Sequence, residues 1–223
     1  KVGEEVELVL TGEHSRIRGL QTHKSGVDRI LPGNRVAVNL SGVAHSKISR
    51  GEVLTTRGGL RHTNSFDAYM KVLSDIPREL RHNMYVTVHS GSDEVVGRLR
   101  LLDRDRAGAG DSVWAQLKLV RPMVVVKGDR FIIRSNQTTL GGGTIVEPHA
   151  ERHRRKDAQL IERLEVMAGG SGQEMLAEAV HRLGPINIRS LADRVDMPLA
   201  QAETNLQDME IKGDVVAAGE GDD

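Results

Sequence analysis

Up to Pro148 the chain is written in short alternating segments closed by glycine or proline turns, and after Pro148 that rhythm stops. In "RVAVNL", Val36, Val38 and Leu40 point one way and Arg35, Ala37 and Asn39 the other, the period of two that half-buries a strand. "EEVELVL" alternates in the same manner, and "SRIRGLQTH" reads as a strand with Gly19 where a bulge would fit. "LPGN" places Pro32 and Gly33 as a type II turn requires, and "ISRGEVL" leads out of a glycine turn into another strand. Strands recurring every ~8–15 residues between such turns predict an all-β barrel or sandwich.

The Gly-rich stretch "TRGGLRHTNS" (56–65) predicts a first boundary. Six further strand patterns follow: "FDAYMKVLSD", "NMYVTVHSG", "DEVVGRLRLLD", "DSVWAQLKLV", "DRFIIRS" and "GGTIVEP". Two small barrels in tandem account for this number of strands. Beyond Pro148, "HAERHRRKDAQLIERLEVMAGG" takes helical spacing, with Leu160, Ile161, Leu164 and Met167 on one face and Gly169-Gly170 at its end. "QEMLAEAVHRL", "NIRSLADRV" and "LAQAETNLQDMEI" read as further helices, and "KGDVVAAGEG" as a turn and strand, the order of a winged helix. The expected fold is mainly β with an α C-terminal part, divided at 1–57, 58–149 and 150–223.

Charge divides along the same line. Residues 1–149 hold 22 Lys or Arg against 16 Asp or Glu, and residues 150–223 hold 9 against 15. The basic front suits a polyanion and the acidic tail does not, but so modest an excess reads, on charge alone, as solvated surface in both halves. Aromatics make up only 2% of the chain, so a stacking platform for single strands is excluded. With no cysteine there is no disulfide, thiolate metal site or cysteine nucleophile, and a reducing, cytoplasmic setting is expected. No apolar run approaches the length of a membrane span, so no membrane partner is expected.

Several motifs invite chemistry and fall short of it. "LGGGTIVEP" lacks the Gly-Lys-Ser/Thr ending of a phosphate loop and leads into a strand, so its glycines are expected to form a bend before that strand. His149 and His153 are spaced for one helical turn, but no carboxylate completes a zinc set, so no metal site is assigned. "ERHRRK" (151–156) reads as a solvated or RNA-facing helix start. The last helix shows Gln201, Glu203, Asn205, Gln207, Asp208 and Glu210 outward, an acidic face that phosphates repel, with Ala202, Leu206 and Met209 inward. No Ser/His/Asp set or paired carboxylates are visible, so no catalytic residue is assigned and the chain is not read as an enzyme.

In order along the chain, "RIRGLQTH", "PGNRVAVNLSGV", "ISRGEVL", "LRHN", "EVVGRLRLLD", "VWAQLKL", "KGDRFIIRS" and "GGGTIVEP" resemble the selenocysteine-specific elongation factors of bacteria. So does the junction "HRRKD" running into helices. The resemblance implies elongation-factor domain II (1–57, partial), domain III (58–149) and a helical linker with a winged helix (150–223). It implies an internal fragment without the GTP- and magnesium-binding domain, and open strand edges near Lys1–Leu10. The family carries selenocysteinyl-tRNA to the ribosome at recoded UGA codons and holds an mRNA hairpin with its last winged helices. Arg35 matches a pocket arginine of the family. A selenol is largely ionised at neutral pH where serine is neutral, so a guanidinium there would favour selenocysteine. Arg16, Arg18, His23, Lys24 and Arg50 are the expected tRNA contacts on domain II. Two other readings remain open on the residues alone: another elongation-factor-Tu-like translational GTPase, against which the winged-helix tail argues, and a β-barrel/winged-helix transcription regulator, against which the acidic last helix argues.

Overall fold

The computed structural model describes residues 1–169, 172–195 and 197–217. The first 55 residues form a five-stranded antiparallel sheet of β1 (Glu5–Leu8), β2 (Glu13–Thr22), β3 (Ser25–Val27), β4 (Ala37–Leu40) and β5 (Leu54–Thr55). The order is β3-β2-β1-β5, with β4 also on β2. The β2–β4 register shifts between Ile17 and Gly19, the bulge that Gly19 suggested. Gly33 takes φ +84°, as a type II turn requires. Two expectations fail here. β1 is paired with β2 over Glu5–Leu8 and with β5 over Glu7–Leu8, so the segment near Lys1–Leu10 is ordered into the sheet and its second edge is unpaired only over Glu5 and Val6. The strand thought to begin at Arg35 begins at Ala37, and its alternation is muted because most of it is exposed.

A closed barrel follows: β6 (His62–Val72), β8 (Met84–Ser90), β9 (Asp93–Leu101), β11 (Ser112–Val124), β12 (Arg130–Ser135) and β13 (Thr138–Glu147), in the order β11-β6-β13-β12-β8-β9. The short strands β7 (Leu80–Arg81) and β10 (Arg106–Ala107) pair as a ribbon beside it. All six strand patterns read from the sequence are present. β6 starts earlier than expected, so the Gly-rich link is shorter. Inward residues such as Phe66, Met70, Leu99, Leu117 and Ile133 are fully buried or nearly so. Each contributes ~1.5–3 kcal/mol relative to exposure. Phe66 and Phe131 meet edge to face at 5.4 Å.

The glycines of "LGGGT" do not bend the chain ahead of the last strand. Gly141, Gly142 and Gly143 lie inside β13 and pair with both β6 and β12. A Cβ at any of them would run into a backbone carbonyl: that of Lys71, of Phe131 or of Tyr69. Glycine is needed here because neighbouring backbones approach too closely for a side chain. The same crowding leaves no cradle for a nucleotide phosphate.

The helical end comprises α1 (Ala158–Gly169), α2 (Gly172–Leu183), α3 (Ile188–Arg194) and α4 (Leu199–Lys212). α1 packs on the barrel through Leu160 and Leu164, against Leu102, Trp114 and Val146. α2, α3 and α4 share a separate core that includes Leu176, Leu191, Ala202 and Met209. Asn187 caps α3 by accepting from the Ser190 N–H at 2.8 Å, and Gly213 ends α4 in the left-handed region. The helix expected to start within "ERHRRK" (151–156) begins only at Ala158, and residues 149–157 cross the barrel without regular structure. His149 and His153 therefore share no helical turn. Residues 213–217 form no strand, and the rest of the expected wing strand lies outside the described residues. No helix among the described residues is long and apolar enough to cross a membrane.

Candidate nucleic-acid interface

Strand alternation breaks on the outer face of the barrel at Asp67 and Gln116. Both point away from the core, yet they are 0% and 1% exposed. They are cross-strand neighbours on β6 and β11, and the segment 150–155 lies over them. Gln116 Nε2 donates to Asp67 Oδ1 at 2.9 Å and to the Glu151 carbonyl at 2.7 Å. His153 Nε2 meets Asp67 Oδ2 at 2.5 Å. Arg100 donates to Gln116 Oε1 and, at 3.1 Å, to the His153 carbonyl. A buried carboxylate is costly unless paired, and here both of its oxygens are used.

The strap continues past His153. Arg155 donates to the carbonyls of Leu101 and Arg104 and pairs with Asp105, which Lys156 also holds at 2.6 Å. The hydrogen bond from Lys156, then that from Arg155, keeps the Asp105 carboxyl down at about 2. Residues 150–156 are thus fixed to the barrel by side chains from β6, β9 and β11 and from the Asp103–Asp105 turn.

Strap and barrel wall together enclose a groove of about 880 Å³. Its cations are Arg98 and Arg100 of β9, Lys118 of β11, and Arg152, Arg154 and Arg155 of the strap, and no carboxylate lines it. Arg98 lies 4.5 Å over the Tyr85 ring and donates to its hydroxyl at 2.7 Å, which holds the guanidinium in place. Burial, then Arg155, pushes His82 below its ordinary value, and burial, then Arg152, lowers Arg100. Three cations on barrel strands and three on the strap tied to them form a positive surface whose charge suits a polyanion.

The residues singled out from sequence fall elsewhere. His23 and Lys24 form the two-residue turn between β2 and β3, both with positive φ, at +49° and +67°. Neither is glycine or asparagine, so the turn holds side chains in a conformation they rarely adopt. Thr22 Oγ1 donates to the Arg35 carbonyl at 3.0 Å, which brings Arg35 beside this turn. Arg16 and Arg18 share the exposed face of β2 opposite buried Ile17, and Arg16 pairs with Glu5 at 3.1 Å. Arg50 reaches the barrel, donating to the Ser92 carbonyl at 2.5 Å with Glu94 nearby at 3.8 Å. Arg35, His23 and Lys24 are therefore one exposed group, Arg16 and Arg18 another, and Arg50 a tie between sheet and barrel. The groove arginines were missed, although "GRLRL" shows two arginines alternating with leucines and "ERHRRK" was half legible as RNA-facing.

A family model described as the β-barrel domain of the selenocysteine-specific elongation factor matches residues 67–152, from Asp67 to Arg152 of the strap. A selenocysteine-specific elongation factor of Desulfomicrobium baculatum is 34% identical over 93% of this chain, which covers 33% of that protein. One of Haemophilus influenzae is 27% identical over 72% of this chain and 26% of its own length. The chain thus spans a third or less of the curated relatives it matches. With eight ordered motifs, a matched barrel and a relative aligned along nearly all of its length, the chain belongs to the selenocysteine-specific elongation factor family.

Proposed function

We propose that this chain is the RNA-carrying portion of a selenocysteine-specific translation elongation factor. In this reading residues 1–57 belong to a domain II barrel, 58–149 are domain III, and 150–223 are a helical linker with a winged helix. The bound RNA is selenocysteinyl-tRNA, delivered to the ribosome at recoded UGA codons. GTP hydrolysis and magnesium belong to another part of the whole factor. The grip on the mRNA hairpin is assigned to winged helices of the whole factor.

The observation that carries the reading is the groove, lined by six cations and no carboxylate. Phosphates displace their counterions when guanidinium groups approach, so binding weakens linearly in log salt, by about 0.9 per phosphate neutralised on a duplex. Arg35, beside the His23–Lys24 turn, is proposed to meet the selenolate. Arg16, Arg18 and Arg50 are weaker candidates for phosphate contact, the last already engaged with Ser92 and Glu94.

The test is fluorescence anisotropy of a labelled acceptor-stem RNA hairpin against the 223-residue chain at several salt concentrations. Arg98→Gln with Arg154→Gln is expected to weaken binding by ~10-fold or more and to flatten the salt dependence. Binding that ignores both salt and these substitutions would sink the reading.

A further inference from the structure

A second cavity, of about 840 Å³, opens where the helical end meets the barrel. Arg61, Lys127 and Glu147 line it from the barrel, Arg152 from the strap, and Arg163, Arg182 and Arg194 from α1, α2 and α3. Its walls carry six Lys or Arg against three carboxylates: Glu147, Glu151 and Asp193. Glu151 is 3.8 Å from Arg194. Among the described residues, neither Arg163 nor Arg182 makes a salt bridge, and the buried Arg163 Nε has no hydrogen-bond acceptor.

Burial, then Arg163 and Arg194, lowers Arg182, so three arginines from three helices lie close enough to feel one another. Burial raises Glu147, while the His149 backbone, Arg182 and Arg163 act against that, so a single carboxylate faces both guanidinium groups without forming a salt bridge to either among the described residues. The C-terminal ends of α2 and α3 add partial negative charge, about half a unit per helix, too little to offset the cations. Like charges held across two packed units leave a deficit that an anion would fill.

Arg152 lines both this cleft and the groove on the barrel face. His153 lines both as well, so the two cavities adjoin at the strap, and an RNA seated in the groove lies next to the cleft. We propose that the cleft is a second phosphate site, in which Arg163 and Arg182 take a phosphodiester of the RNA that occupies the groove and so clamp the helical end against the barrel. This rests on the RNA-carrying reading and adds a consequence to it: RNA in the cleft would set the position of α1–α3.

The experiment uses the same RNA hairpin and the full 223-residue chain. Arg163→Gln with Arg182→Gln should reduce the salt slope by about one to two and weaken binding several-fold. Arg163→Lys with Arg182→Lys, which keeps the charge, should restore the slope. Arg61→Gln, at the exposed mouth and outside every packed core, should reduce the slope without any folding effect. Hydrogen exchange across α1–α3 should slow when RNA binds the unmodified chain, but not when it binds the glutamine variant. If groove variants weaken binding while all cleft variants match the unmodified chain in slope and exchange, the cleft proposal falls and the RNA reading stands. If the unmodified chain binds no RNA, both fall. If millimolar inorganic pyrophosphate slows exchange in α1–α3 while RNA does not, the site serves free phosphates and the proposal is overturned.

Discussion

Barrel and preceding sheet share one pattern of alternation, yet the barrel closes on itself and the sheet does not. Twenty-one buried hydrophobic residues fill the barrel, whereas the sheet's own cluster has Val6, Ile17 and Leu20 with six half-buried neighbours. Closure removes strand edges and buries every inward side chain from both ends. The sheet keeps Leu31, Val38 and Ile48 partly exposed. The difference matters for the charges each region carries. On the barrel, arginines stand on strands whose other face is a packed core, so the groove is fixed before any ligand arrives. On the sheet, Arg35, His23 and Lys24 sit at or beside a two-residue turn over a thin core. A positively charged groove belongs to the rigid region and the proposed amino-acid contact to the soft one.

The largest test of that contrast is Phe66→Ala, which should cost ~3–5 kcal/mol in urea unfolding of the barrel. Ile17→Ala should cost ~2 kcal/mol or less and alter a separate, earlier transition, because the thin core can collapse around the gap. Equal costs in a single transition would show that sheet and barrel unfold as one unit.

Asp67→Ala comes next. It leaves His153 and Gln116 without their shared partner and should destabilise by ~2–3 kcal/mol. Its sharper signature is on function: with the strap loosened, Arg152 and Arg154 lose their positions, and RNA affinity falls although no groove cation has been removed.

A smaller effect comes from pH. Burial holds His82 below its ordinary value, so the ring is neutral near pH 7. Its contribution to stability is complete above the unfolded-state value and is lost as pH falls through the folded one. A phosphate in the groove raises the ring's affinity for a proton, so RNA binding takes up a proton and tightens as pH falls from 8 to 6. His82→Gln should flatten that dependence in anisotropy titrations. Proton uptake that persists in the variant would place the titrating group elsewhere.

The smallest effect on the fold is that of Arg35→Ala. Arg35 is exposed and its carbonyl, not its guanidinium, is held by Thr22, so stability should change by less than ~0.5 kcal/mol. In the whole factor the same change should reduce the preference for selenocysteinyl- over seryl-tRNA. An unchanged preference would remove Arg35 from the pocket.

The six barrel strands, the Gly19 bulge and α2–α4 were legible because each is a local matter of periodicity and turn chemistry. The helix start was misread because "ERHRRK" has helix-forming residues, while the barrel offers its backbone and side chains better partners than an isolated turn would. Lys156 N–H bonds to the Leu102 carbonyl at 2.6 Å, and Ala150 N–H to that of Ser65 at 3.1 Å. The glycine run was misread because only the neighbouring strands β6 and β12 show why a side chain has no room there.

By itself the sequence determined alternation, turn positions, charge asymmetry and kinship, since all of these are written in residue type and spacing. Only the tertiary structure decided that Asp67 and Gln116, polar residues on an outward face, are buried under the strap. It also decided that cations from β9, β11, the strap and three helices line two adjoining cavities. Those outcomes depend on which distant surfaces are brought together, and pairing across ~50–90 residues leaves no periodic signal in the chain.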